Sequence, residues 1–254
     1  MSPAALRRHQ LQEVWARGGE NALPTSRAFA MMNESAENFP GRERVNTNHK
    51  DKNPAHALYW EALGKSLADE ICRRTEAVYD ENRRGYILPV LDQRQAILPH
   101  EQRILVWRGG AFEEEDYRDN FYLMVLLYLL NAKGGEPGGN WISEKELKGG
   151  TTFFRGPHAL PVGDIQRAFG KDAEGFIHAG IRLGGVEIPF GDKGIALKVF
   201  PKVPLAYVLW QEDQEFPARV TVLFDATIQG QFSLDGVWCL VSEVSQRLLE
   251  ARAR

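Results

Sequence analysis

The sequence predicts an α+β fold in which a largely antiparallel or mixed sheet packs against several helices. Two observations predict this class. The strand-like and helix-like segments occur in blocks and do not alternate strictly, which disfavours a doubly wound parallel sheet. Three segments in the last third, 195–200, 203–210 and 219–224, are rich in β-branched and aromatic residues, as strands are.

The N-terminal stretch differs in composition from the rest of the chain. Residues 1–53 hold a glycine doublet, separated prolines and the polar run 46–53, and only residues 4–16 have the pattern of a short amphipathic helix. Such a composition buries little apolar surface. We therefore predict a poorly ordered N-terminal extension or linker over residues 1–53 and a single α+β domain over residues 54–254.

The first half of this domain opens with a predicted amphipathic helix and continues with strands. Four apolar residues at helical spacing predict the helix: Trp60, Leu63, Leu67 and Ile71. Strand-like segments follow at 86–91, 96–98 and 104–107. The turn between the last two predicts that they pair as a hairpin. A central helix is then predicted over residues 117–132, with Asp116 as its N-cap.

Further helix signals occur in the second half. Ser143 and Glu146 match a capping box, which predicts a short helix there. Helical segments are also predicted at 161–169 and 173–183, each followed by glycine. Asp235 is the predicted N-cap of a final helix, and arginines near its end suit the negative end of the helix dipole.

Composition and charge limit the classes of function. The net charge is -3 with both signs well mixed, so no nucleic-acid surface is indicated. The longest apolar run, 121–130, has about half the length that a membrane-spanning helix needs. The N-terminus also has no secretory signal pattern. We expect a cytoplasmic protein with no membrane segment, in which Cys72 and Cys239 are buried, reduced thiols.

An acidic turn after the strand at 203–210 is the first candidate site. Asp213 and Glu215 carry the carboxylates that magnesium or calcium binds and that acid–base catalysis uses. The alternative is a turn that is charged because it is solvated. If residues 203–210 and 219–224 form a hairpin, Asp225 lies roughly 20 Å from this turn and belongs to a different site.

A Gly-Pro loop carries the second candidate site. Arg155 and His158 flank the Gly-Pro pair and suit anion binding, whereas the alternative is an ordinary exposed loop. His178 lies in a helical segment and is interpreted as a packed or half-buried residue. The chain has no Gly-x-Ser-x-Gly, His-Glu-x-x-His or Cys-x-x-Cys motif, so no catalytic residue or cofactor is assigned. The only alternative metal ligands are the two carboxylates of the acidic turn.

Several tracts of the sequence carry a family resemblance. They are the apolar tract 127–130 with its following glycines, the segment 141–150, and the segment 209–218 followed by 223–225. The chain resembles the domain-of-unknown-function family numbered 3786 over roughly residues 53–232, and its Trp-x-x-Asp-x-Glu-Phe-Pro-Ala segment is fairly specific. The resemblance implies a protein of anaerobic bacteria or archaea, where some relatives carry an iron–sulfur domain like those of corrinoid proteins. This chain lacks the cysteines for such a cluster.

Three functions remain open at this point. The first is a small-ligand-binding or accessory protein in anaerobic metabolism, with an iron–sulfur or corrinoid protein or a small molecule as its partner. Trp141, Arg155 and His158 would then line one pocket, with the acidic turn near its rim. The second is a carboxylate- or metal-dependent hydrolase that uses the acidic turn. The third is a non-catalytic protein–protein interaction module that docks a partner through the N-terminal extension.

Overall fold

The helices of this protein accompany two blocks of β-strands. The computed structural model describes residues 54–114 and 119–253. In these residues the α-helices are α1 (Pro54–Lys65), α2 (Ala68–Thr75), α3 (Asp119–Asn131), α4 (Gly150–Phe153), α5 (Gly163–Phe169), α6 (Ala173–Arg182) and α7 (Leu234–Arg252). Short 3-10 turns lie at Gly156–His158 and Ile228–Gly230. Among these described helices, none has the length and apolar character to cross a membrane.

The first sheet is an antiparallel meander whose strands lie side by side in chain order. They are β1 (Val78–Asp80), β2 (Gly85–Val90), β3 (Gln93–Leu98), β4 (Arg103–Arg108) and β5 (Ala111–Glu114). The register places Ile97 of β3 opposite Tyr86 on one side and Ile104 on the other. The predicted hairpin between the strand-like segments at 96–98 and 104–107 is therefore confirmed.

The second sheet is also antiparallel, but its order departs from the chain order. Its strands are β6 (Trp141–Ser143), β7 (Val186–Ile188), β8 (Lys193–Phe200), β9 (Val203–Trp210) and β10 (Arg219–Asp225), arranged β6-β10-β9-β8-β7. The register is irregular between Lys198 and Phe200. There the Val199 carbonyl accepts the Leu91 N–H at 3.1 Å, which joins the β2–β3 turn of the first sheet to the second sheet.

One apolar core extends between the helices and both sheets. The predicted stripe of the last helix is buried in this core: Val237, Leu240, Val241, Val244 and Leu248. Tyr207 of β9 is fully buried, and its hydroxyl lies 3.1 Å from both the Val241 carbonyl oxygen and Ser245 Oγ. The α+β class with antiparallel sheets is thus confirmed, with the helices covering the inner face of the second sheet.

The predicted helix from Trp60 to Ile71 is wrong in one respect, because it is two helices. α1 ends at Lys65, and Leu67 adopts an extended backbone before α2 begins. Leu67 is 74% exposed, so it does not continue the apolar stripe. The Ser66 hydroxyl donates to the Ala62 carbonyl at 2.8 Å, a side-chain bond that competes with helical continuation.

Two predicted helix starts, at Ser143 and at Asp235, are also wrong. The Glu146 carboxylate accepts from the Ser143 N–H at 2.8 Å, as a capping box requires, but the segment is a turn and no helix begins between Ser143 and Gly150. The last helix is capped by Ser233 and not by Asp235. The Ser233 hydroxyl accepts the N–H of Gly236 in the first turn of the helix. Asp235 lies in the first turn, where its charge still suits the helix dipole.

Two further predictions fall on residues that the structure does not describe. The N-terminal extension over residues 1–53 lies outside the described residues, and so does the predicted N-cap Asp116. The boundary of a single domain at residue 54 therefore stays a prediction.

Candidate binding surface on the second sheet

The two faces of the second sheet have different surroundings. Successive side chains of a strand point to opposite faces, so β9 contributes alternate residues to each face. Leu205 and Tyr207 point into the main core, which the helices complete. Ala206 points the other way and belongs to a separate apolar cluster. The second sheet therefore has an inner face packed on helices and an outer face with its own cluster.

We call this separate group the outer-face cluster. Its buried members are Ile188, Ala196 and Ala206, and its partly buried members are Trp141, Phe190 and Leu223. All six residues belong to strands of the second sheet or to the turn after β7, and none comes from a helix. Within the described residues, no helix contributes to this cluster, and its members Trp141, Phe190 and Leu223 remain partly exposed.

Trp141 adds one polar group, its indole N–H, to the outer-face cluster. It lies on the edge strand β6, directly opposite Asp225 of β10. Its indole Nε1 is buried but has no hydrogen-bond partner. A buried donor without an acceptor costs about 1–3 kcal/mol, so this indole N–H is a polar group whose acceptor the described residues do not supply.

Asp225 anchors the chain that leads into β6. The residue is 1% exposed, and its carboxylate accepts four hydrogen bonds. Two come from the N–H groups of Gly138 (3.3 Å) and Gly139 (2.7 Å), and two come from the N–H (3.0 Å) and hydroxyl (2.7 Å) of Thr227. Gly139 has a φ of 66°, a backbone conformation that glycine adopts without strain. Asp225 is therefore a structural anchor that fixes the position of Trp141.

The acidic turn closes the β9–β10 hairpin at the opposite end. The register of the hairpin pairs Trp210 with Arg219, so its strands match the predicted ones closely. Asp213 Oδ1 accepts the N–H groups of Glu215 (2.8 Å) and Phe216 (2.7 Å), and these bonds lower the pKa of Asp213. The turn is exposed to solvent. The Asp213 carboxylate thus stabilises the turn in which it lies.

The hairpin geometry separates the two acidic elements of the sequence. Asp225 and the acidic turn lie at opposite ends of β10, roughly 20 Å apart along the strand. Trp141 faces Asp225, so it too lies far from Asp213 and Glu215. The predicted pocket, with Trp141 inside and the acidic turn at its rim, is therefore wrong, because these residues lie at opposite ends of β10.

Arg155 and His158 lie on an exposed loop, as the sequence predicted. The His158 N–H donates to the Arg155 carbonyl at 3.1 Å, and the His158 ring lies 4.8 Å from the Phe153 ring. These contacts remain within the loop, and no described contact joins either side chain to Trp141. Anion binding by this pair stays a prediction.

Comparison with known proteins identifies the family of this chain. The sequence model of the family described as Domain of unknown function (DUF3786) matches residues 68–247, which is more than half of the chain. The chain belongs to the DUF3786 family. The resemblance predicted from the sequence tracts is therefore confirmed. No curated protein and no solved structure matches this DUF3786 chain.

Two buried polar residues of the DUF3786 domain escaped the sequence analysis. Lys202, in the β8–β9 turn, is buried, and its Nζ lies 3.0 Å from Glu136 Oε1 and 3.9 Å from Glu76 Oε1. Gln95 of β3 is completely buried, and neither its amide oxygen nor its amide nitrogen has a partner. Nothing in the local sequence marks either residue, because strand and turn patterns give no distance between remote segments.

Three side chains of the DUF3786 domain differ from the predicted burial. His178 of α6 is exposed, because it lies on the solvent side of the helix, and not packed as predicted. Cys72 and Cys239 are free thiols but only partly buried. Burial still raises the pKa of both thiols, which keeps them protonated at neutral pH. Within the described residues, no three His, Cys, Asp or Glu side chains are grouped to hold a metal ion.

Proposed function

We propose that this DUF3786 protein is a non-catalytic accessory protein that binds a partner protein through the outer face of its second sheet. One observation carries the proposal: the outer-face cluster is apolar, draws none of its described members from a helix, and keeps Trp141, Phe190 and Leu223 partly exposed. Apolar side chains that remain exposed together are typical of protein interaction sites. Tryptophan suits such a site because it combines a large apolar ring with one donor.

The alternatives from the sequence have less support in the geometry. A carboxylate-dependent hydrolase needs Asp213 and Glu215 to act together, but Asp213 Oδ1 already accepts two backbone N–H groups of its own turn. A small-ligand pocket shared by Trp141 and the acidic turn conflicts with their separation along the hairpin. A partly exposed cluster on a sheet face favours a macromolecular partner over a small molecule, which is usually bound in a concave pocket.

The proposal includes a class of partner and a location. The family resemblance supports an iron–sulfur or corrinoid protein of anaerobic metabolism as the first partner to test. We place the protein in the cytoplasm, where its partly buried thiols would stay reduced.

Site-specific photo-crosslinking tests the proposal in cells. A photoreactive amino acid replaces Leu223, which is a partly buried member of the outer-face cluster. A matched protein carries the same group at Leu67, which is an exposed leucine on another element. We expect a partner protein to crosslink at position 223 and not at position 67. Equal crosslinking at both positions would overturn the proposal.

A second measurement connects the crosslinked protein to Trp141. The partner identified at position 223 is purified and titrated with the wild-type chain and with Trp141→Phe. Phenylalanine keeps an apolar ring and removes only the indole N–H, so the affinity should fall about tenfold if the partner supplies an acceptor. Trp107→Phe, on β4 of the first sheet, is the matched control for a general effect of losing a tryptophan. An unchanged affinity for Trp141→Phe would contradict the role of this side chain.

A further inference from the structure

We infer that the tip of the β9–β10 hairpin docks a basic segment of the partner, a segment rich in arginine or lysine. The hairpin tip is defined here as residues 187–193 and 210–219, which include the acidic turn and the neighbouring β7–β8 turn. Trp210 ends the outward-facing row of β9 that also contains Ala206, so the tip adjoins the outer-face cluster. The inference rests on the proposed function and adds the chemistry of the partner.

Two exposed aromatic rings mark the hairpin tip. Phe216 is 67% exposed and Trp210 is 38% exposed. Single exposed apolar residues are common on protein surfaces, but two large rings on one hairpin tip form a patch. Pro189 and Pro217 are exposed in the same tip and extend this apolar surface.

The backbone of Phe216 is held in place although its ring is exposed. The Phe216 N–H donates to Asp213 Oδ1 at 2.7 Å, and the Phe216 carbonyl accepts the Asp213 N–H at 3.0 Å. A side chain on a fixed backbone loses less conformational entropy on binding than one on a mobile loop. The ring is therefore preorganised for contact with another molecule.

The charge of the hairpin tip determines which partner fits. The tip has five carboxylates, from Glu187, Asp192, Glu212, Asp213 and Glu215, against the two cations Lys193 and Arg219. The formal net charge of the tip is -3. Lys171 pairs with Glu212 at 2.9 Å and Glu174 pairs with Lys193 at 3.0 Å, and including these two neighbours leaves the net charge unchanged. Such a surface attracts a basic segment and repels an acidic one.

The hairpin tip already contains the type of contact that a basic segment would make. The Arg219 guanidinium lies over the Trp210 ring, 5.3 Å from its centroid. An arginine of the partner would make the same kind of cation–π contact with the exposed Phe216 ring, with the carboxylates of the acidic turn nearby. Aromatic recognition and charge recognition are therefore available within one tip.

Fluorescence anisotropy with a defined peptide tests the inference on the full chain. The probe is a fluorescein-labelled peptide of alternating arginine and glycine, and a peptide of alternating glutamate and glycine is the charge control. We expect the basic peptide to bind the wild-type chain and Phe216→Ala to weaken binding about tenfold. Leu67→Ala removes another exposed apolar side chain and should leave the affinity unchanged. Added salt should weaken binding, because the attraction between exposed charges is screened.

Three results would overturn the inference. The first is equal affinity of Phe216→Ala and the wild-type chain for the basic peptide. The second is equal binding of the acidic peptide. The third is self-association of the chain that Phe216→Ala abolishes, because the tip would then contact a second copy.

Failure of this inference can be distinguished from failure of the proposed function. If position 223 crosslinks a partner and Phe216→Ala binds the basic peptide as tightly as the wild-type chain, the outer-face proposal is supported and the basic-segment inference is refuted. If position 223 crosslinks nothing but the basic peptide needs Phe216, the tip binds by itself and the outer-face proposal falls.

Discussion

Replacement of Asp225 by asparagine tests the anchor that holds β6 and Trp141. Asparagine has nearly the same shape but keeps only one acceptor oxygen and no charge. If that oxygen takes the place of Oδ1, it still accepts from Gly138 and Thr227, but the amide nitrogen cannot accept the Gly139 N–H. The substitution therefore leaves one buried donor unpaired and weakens the bonds that remain.

The magnitude follows from these bonds. A lost hydrogen bond to a charged group costs about 1.5–3 kcal/mol. The remaining bonds lose their charge assistance, which about doubles the strength of such bonds, while the relief of burying a charge offsets part of the loss. We expect the free energy of unfolding to fall by about 2–4 kcal/mol, or the melting temperature by roughly 4–16 °C for a chain of this size.

Urea unfolding of the wild-type chain and Asp225→Asn measures this change directly. Thr227→Val is the matched control, because it removes only the hydroxyl donor and should cost about 1 kcal/mol. Hydrogen exchange should also become faster in β6, whose anchor is weakened. A loss below about 0.5 kcal/mol for Asp225→Asn, or unchanged exchange in β6, would refute the anchoring role.

Two further predictions concern other parts of the fold. Gly180→Ala places a methyl group 2.3 Å from Ile195 Cγ1 and should destabilise the protein by about 1–3 kcal/mol. In Gly64→Ala the added methyl group meets only Pro99 Cβ at 3.9 Å, so this variant should be more stable by about 0.5–1 kcal/mol. Urea unfolding of both variants checks this, and equal stability of the two would contradict the packing of α6 on β8. The backbone N–H groups of Glu215 and Phe216 lower the pKa of Asp213, so the ionised carboxylate adds to the free energy of unfolding. This stabilisation is fully present above the unfolded-state pKa and is lost as the pH falls through the lower folded-state pKa. Carboxyl titration by NMR should show Asp213 titrating below its usual range, and a normal or raised pKa would contradict the turn geometry.

Much of the secondary structure could be predicted from local pattern. The strand predicted at 203–210 matches β9 residue for residue, and the strand predicted at 219–224 lacks only the last residue of β10. Both are long runs of β-branched and aromatic residues, a strong local signal. The three-residue strands β1, β6 and β7 were missed, because their pairing depends on a neighbouring strand and not on their own composition.

The candidate site could be predicted only in part. The sequence predicts Trp141 as a binding candidate, but only the structure shows its buried indole N–H and its neighbours Ala196 and Ala206. No pattern in the sequence reveals that these two alanines lie on one face with Trp141. The order β6-β10-β9-β8-β7 brings them together from segments more than fifty residues apart.

The sequence by itself determined the α+β class, the family and the long helices and strands, because these follow from periodicity and composition over short windows. The tertiary structure alone decided which residues share a surface. It brought the N–H groups of Gly138 and Gly139 from a distant loop to the Asp225 carboxylate, which also accepts two bonds from the nearby Thr227. It also formed the outer-face cluster without a member from any described helix. The physical reason is that contacts between remote segments depend on strand order and register, which no local stretch of sequence encodes.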